Sequence, residues 1–189
     1  MKNIKVLDLS GKKANEKNFT SYIVKNNPIL IFFNGHGSAD VITGYDNEPL
    51  VSIDKNEKLL EKKIVYARSC DAAENLGELC IKNNTLVFIG YKKKYSICYS
   101  DASVNQPLHD AIAKLFIAPS NLIPMSFLKG NTAKDAYRKS QESMARNFSF
   151  MLSTKATQAQ KDAAPYLWSN KKYQVLLGNP NASMNTLHN

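Results

Sequence analysis

Two residues able to form a nucleophile–base pair stand at matching places in this 189-residue chain. His36 lies between glycines in Asn34-Gly35-His36-Gly37-Ser38, directly after the apolar run Ile29-Leu30-Ile31-Phe32-Phe33. Cys70 closes Arg68-Ser69-Cys70, directly after Ile64-Val65-Tyr66-Ala67. Cysteine attacks as the thiolate, so it needs a neighbour that lowers its pKa or takes its proton. An imidazole at hydrogen-bond reach does the latter. Acyl transfer also needs donors for the developing oxyanion, and the backbone N–H groups of Gly37 and Cys70 are the candidates. Each residue alone also has a plainer role, since post-strand cysteines are commonly small core residues and lone histidines are commonly structural.

The flanking elements must bring the pair together. Residues 29–33 read as a strand buried on both faces, ended by Asn-Gly. Residues 64–67 and 85–90 repeat the pattern, and buried strands separated by helical stretches predict a mainly parallel sheet covered on both faces. Ligands of such sheets lie beyond the carboxyl ends of the strands, where His36 and Cys70 fall. Asp71 and Glu74 have capping-box spacing before the stripe Leu76, Leu79, Cys80. Cys70 is therefore expected at or just before a helix N-terminus, whose partial positive charge favours a thiolate.

The remaining chain supplies covering elements. Ile4–Leu9 alternates as a first strand, and residues 14–26 carry a helical stripe at Phe19, Tyr22 and Ile23, stopped by Asn26-Asn27-Pro28. Residues 40–53 read as a hairpin around Asp46-Asn47, and Asp54 as the cap of a short helix through Leu60. Tyr95–Tyr99 is a candidate further strand. Helices are expected over 107–117, 132–152 and 156–167, with 119–130 irregular because it holds two prolines and Gly130. Residues 173–177 form the closing strand. The expected architecture is an α/β/α sandwich in one domain, 1–189.

Composition narrows the function classes. Hydrophobic residues are 43% and charged residues 22%, as in ordinary globular proteins. No stretch approaches the roughly 18 consecutive apolar residues of a membrane helix, and Asp8 interrupts any signal-like core. The expectation is a cytoplasmic protein with no membrane partner. Three cysteines without paired spacing suggest neither a disulfide framework nor a zinc cage. Cys80 sits on an apolar stripe and reads as core, Cys98 as core or edge strand. His109 and His188 read as surface residues. The formal charge of +9 raises nucleic-acid binding as a rival class, but only Lys92-Lys93-Lys94 is dense and no aromatic-interleaved basic stripe accompanies it.

The order apolar strand–Gly-His-Gly-Ser, then apolar strand–Ala-Arg-Ser-Cys, resembles the histidine and cysteine motifs of the caspase-like cysteine peptidases. Leu128–Ser140 and the closing Leu177-Gly178-Asn179-Pro180 resemble segments of the CHAT and gingipain-like members, whose closing motif is usually spelled Gly-Asp-Pro. The resemblance spans nearly the whole chain in the right order. It implies a caspase-like fold, peptide-bond hydrolysis through an acyl-enzyme without a cofactor, His36 as general base and Cys70 as nucleophile. It implies a protein or peptide substrate and, for a chain of this size, an activator or sensor protein, for instance in bacterial defence. It also implies that the stretch Tyr91–Ser103 helps build the S1 pocket, where Asp101 would select Arg or Lys; Asp71, beside the nucleophile, is the competitor for that role. The chain departs from many relatives in having Ser69 before the cysteine and Asp71-Ala72-Ala73 after it. The rivals are an inactive relative using the groove for docking and a basic nucleic-acid-binding α/β domain.

Overall fold

A computed structural model describes residues 4–100 and 109–185. Helix α1 (Glu16–Asn26) starts at Asn15, whose side chain accepts from Asn18 N, and stops at Asn27 in the left-handed region. Strand β1 (Leu30–Asn34) follows, then an antiparallel hairpin of β2 (Val41–Thr43) and β3 (Pro49–Ser52). Asp46 and Asn47 both take positive φ in its turn, a conformation Asp and Asn tolerate better than most residues. Strand β4 (Ile64–Arg68), helix α2 (Asn75–Lys82) and strand β5 (Val87–Tyr91) come next. Helices α3 (Ala111–Leu128), α4 (Ala133–Met151) and α5 (Gln158–Tyr173) lead to β6 (Gln174–Gly178).

The main sheet has the order β1-β4-β5-β6, with β1, β4 and β5 parallel and β6 antiparallel to β5. It is thus mixed and mostly parallel, compatible with an α/β/α sandwich. Alternation along β4 sorts its side chains into two cores. Val65 and Ala67 join Phe19, Ile23, Leu76 and Cys80 on the α1/α2 side, while Ile64 and Tyr66 join Ile123, Phe127 and Ala136 on the α3/α4 side. Helix α5 lies against α3 and α4 over Phe116, Met144 and Leu167.

Several elements differ from expectation. Ile4–Leu9 pairs with no strand and is mostly exposed, with Val6 at 77%. Leu9 alone among its apolar residues packs against the core. The run 29–33 is not buried on both faces, because β1 is an edge strand and Phe32 is 39% exposed. Asp54 caps nothing; it takes positive φ in a turn, and Asn56 precedes the short 3₁₀ segment Glu57–Leu60. Tyr95–Tyr99 forms no strand.

The segment 119–130 is largely helical rather than irregular, since α3 runs through both Pro119 and Pro124. Proline forfeits the bond to the carbonyl four residues earlier, and the Leu115 carbonyl is instead satisfied by Asn147 Nδ2 on α4 at 2.8 Å. By length and mean hydropathy alone α3 meets the criterion for a membrane-spanning helix, and 44% of it is buried inside the fold. The last expected helix is longer than 156–167, opening on a Thr157/Gln160 capping box and running to Tyr173.

Asp110 ties two parts of this framework. Its Oδ1 accepts from Ile112 N and Ala113 N at the start of α3, and its Oδ2 from Ser100 N and Oγ. Burial by itself would raise this carboxyl, but the four hydrogen bonds outweigh it and hold the group far below 3.8. A depressed acid contributes stability above its unfolded pKa and loses it as pH falls toward the folded value. Asp110→Ala should therefore cost about 2 kcal/mol or more at neutral pH, from a lost cap and lost charged hydrogen bonds. The cost should shrink as pH drops below about 4. Urea unfolding of both proteins across that pH range checks this, and a pH-independent difference would refute it.

Candidate active site

Register decides what can meet at the carboxyl end of the sheet. β1 and β4 pair from Leu30 beside Ile64 to Asn34 beside Arg68, so the loops that leave them start level with each other. The two loops are then fastened directly. Ser69 Oγ donates to the His36 carbonyl at 2.7 Å, and Gly35 N donates to the Arg68 carbonyl at 3.3 Å. The histidine loop is also stitched to the hairpin by Thr43 N to the His36 carbonyl and Ser38 N to the Val41 carbonyl.

Gly37 is required by this contact. A Cβ on it would lie 2.2 Å from Ser69 Oγ, 2.7 Å from the Val41 carbonyl oxygen and 3.4 Å from that of Cys70. The Gly37 backbone therefore rests against the cysteine turn with no room for a side chain. Among the described residues the Gly37 and Cys70 N–H groups meet no acceptor.

His36 is exposed and Cys70 half-buried. No hydrogen bond joins imidazole to thiol; Cys70 Sγ instead donates to the Tyr95 carbonyl at 3.7 Å. The structure thus brings the His36 and Cys70 loops together without closing the pair. The other thiols are less suited to attack. Burial, helped by Glu57, pushes Cys80 up to about 12, and burial also raises Cys98, which packs half-buried beside α3 and α5. His109 is exposed. Asp101 and His188 lie outside the described residues.

The expected capping box does not form. Asp71 sits in a left-handed turn closed by Glu74 N on the Asp71 carbonyl, and Glu74, the residue before α2, makes no side-chain cap. Cys70 is therefore separated from the helix start by a turn. The first helical donors point elsewhere, for Leu76 N donates to the Ala39 carbonyl, with Asn75 Nδ2 on Asp40 beside it. The Asp71 carboxylate makes no hydrogen bond or ion pair among the described residues.

Sequence reasoning missed a polar network behind the cysteine. Arg68 Nε donates to Asn34 Oδ1 at 2.8 Å, and its Nη1 to Asn121 Oδ1 at 2.8 Å and Ser120 Oγ at 3.3 Å. Its guanidinium lies 5.1 Å from the centre of the Phe32 ring, which stacks on Tyr66. The Tyr66 hydroxyl bonds Ser120 at 2.5 Å and reaches Tyr91 at 3.4 Å. Burial raises Tyr66, and pushes Tyr95 up to about 12 although Ser120 and Arg68 beside its hydroxyl pull it down. That hydroxyl is fully enclosed yet makes no well-formed hydrogen bond. The signal in the sequence was Arg68 itself, a charge at the end of a buried strand.

Gly37→Ala should be costly beyond any loss of backbone freedom. The added methyl meets two oxygens, so a penalty of about 1–3 kcal/mol is expected, together with slower alkylation of Cys70. Thermal melts and iodoacetamide kinetics on the variant measure both, and an unchanged alkylation rate would show that the two loops do not depend on each other. No family model matches this sequence, and no curated protein matches it significantly.

Proposed function

We propose that the chain is a cysteine peptidase of caspase-like architecture, with His36 as general base, Cys70 as nucleophile and the Gly37 and Cys70 amides as oxyanion donors. The observation that carries this reading is the fastening of the two loops at the ends of adjacent parallel strands, through Ser69 Oγ and the His36 carbonyl. In the reaction His36 takes the thiol proton as Cys70 sulfur bonds to the scissile carbonyl carbon. The carbonyl oxygen becomes the oxyanion facing the two amides. Collapse breaks the C–N bond, and His36 returns its proton to the leaving amine. Water, deprotonated by His36, then releases the acyl group and restores the thiol. Catalytic hydrogen bonds are often open in the ligand-free state and tighten on substrate, so the thiol on the Tyr95 carbonyl suits a resting form. Turning away from that carbonyl frees it for the imidazole.

A second reading has one observation in its favour. The imidazole and thiol are not bonded to each other, as expected if the groove binds peptide without cutting it. An activator or sensor protein that reshapes the groove would reconcile the two readings.

An electrophilic peptide probe separates them. Cys70 should be the labelled residue, and Cys70→Ala should abolish turnover while unfolding as cooperatively as the parent. His36→Ala should slow turnover by about 100- to 10,000-fold with little change in melting temperature, because His36 is exposed. Labelling confined to Cys98, or turnover surviving in Cys70→Ala, would overturn the proposal.

A further inference from the structure

The half-buried Arg68 is a charge without a counter-charge. Strand alternation carries Ile64, Tyr66 and Arg68 to the α3 side of the sheet. Cys70, two residues on, sends its thiol to the carbonyl of Tyr95, a residue of that same side. Tyr95 bridges the two positions, since its carbonyl meets the thiol while its enclosed hydroxyl lies beside Ser120 and Arg68. The guanidinium is held in one orientation by Asn34, Ser120, Asn121 and the face of Phe32. All of these partners are neutral. None of the ion pairs among the described residues includes Arg68, and its Nη2 donates none of the described hydrogen bonds.

Neutral oxygens orient a guanidinium but do not cancel its charge. A half-buried cation held in place and left without a counter-charge is suited to take an anion. The planar fork of arginine matches a carboxylate in particular. A Lys or Arg side chain brought to the same place would meet like charge, so Arg68 opposes the basic preference that Asp101 or Asp71 would confer.

We propose that Arg68 is the specificity-determining residue of the site around Cys70 and that it receives a carboxylate of a peptide ligand. This rests on the peptidase reading only in taking the surface beside Cys70 as the place where peptide lies. The carboxylate has two sources, an acidic side chain or a free chain terminus, and the two are separable.

The test is binding by Cys70→Ala protein, read by fluorescence polarisation, which needs no turnover. The ligands are labelled peptides with amidated ends, identical but for Asp, Asn, Leu or Arg at one position scanned along the chain, plus the Leu peptide with a free carboxyl end. An acidic peptide should bind about tenfold or more tightly than its Asn counterpart, the worth of one charge-assisted hydrogen bond. The free-end Leu peptide shares the advantage only if the terminus is the source. Adding Arg68→Gln should erase the preference, and Arg68→Lys should keep part of it, since the charge remains without the fork. Equal binding of Asp and Asn peptides, tighter binding of Arg peptides, no binding by any acidic peptide, or a preference that survives Arg68→Gln would each overturn the proposal. If Arg68→Gln fails to fold, the peptide series and Arg68→Lys still decide. Acidic preference without cleavage by the parent enzyme would sink the peptidase reading alone, and cleavage without acidic preference would sink this inference alone.

Discussion

The in-register parallel pairing of β1 with β4 is the constraint on which the site depends. Five consecutive pairs, from Leu30–Ile64 to Asn34–Arg68, end both strands at one level and deliver their loops to one edge. A slip of one residue would turn Tyr66 and Arg68 toward α1 and α2 and bring Ala67 to α3. Both cores resist that slip, because Val65 and Ala67 are as fully buried on one face as Ile64 and Tyr66 are on the other. The hydrophobic sorting of β4 thus sets the geometry of the candidate dyad. Ser69 and Gly35 then hold the loops to each other within hydrogen-bond reach.

Around that edge the fold spends polar groups where an apolar core would be simpler. Ser120 reaches Tyr66 and Arg68, Tyr91 joins Tyr66 to Gln174, and Gln174 reaches Ser140 on α4. These bonds run from the cysteine end of the sheet to its far edge. Burying such groups unpaired would cost each its hydration, so the network specifies one way for α3 and α4 to lie on the sheet. Among the described residues two enclosed side-chain atoms lack a well-formed hydrogen bond, Thr43 Oγ1 on the hairpin and the Tyr95 hydroxyl beside Ser120 and Arg68. Arg68 has its hydrogen bonds but no counter-charge.

The helical layers show how local penalties are absorbed by neighbours. Pro119 takes a hydrogen bond away from the Leu115 carbonyl, and Asn147 on the next helix returns one. Asp110 caps α3 while gripping Ser100, so the helix start and the chain leaving the cysteine side are held by one carboxylate. Helix α2 gives the Leu76 N–H to the Ala39 carbonyl of the histidine loop, while Gly77 N donates back to Ala72. Its first turn is therefore tied to the histidine loop, and a turn separates it from Cys70.

The apolar runs at β1, β4 and β5, the hairpin within 40–53 and the candidates His36 and Cys70 at the ends of neighbouring strands were legible in the residues, because apolar periodicity and turn chemistry are local properties. The failures were of other kinds. Ile4–Leu9 alternates like a strand, yet a strand exists only where a partner edge is offered, and none is offered there. Pro119 and Pro124 read as breakers because the compensating Asn147 is remote in sequence and near only in the fold. Asp71 and Glu74 had the spacing of a cap, but the backbone at Asp71 turns left-handed and carries the helix start away from Cys70. Of the polar network around Arg68 only the arginine itself was a signal, since its partners come from β1 (Asn34) and α3 (Ser120 and Asn121), remote in sequence. Strand identity follows from short-range pattern; which edge is free, which carbonyl is rescued and which charge stays uncancelled follow from long-range packing, and only tertiary structure decides those.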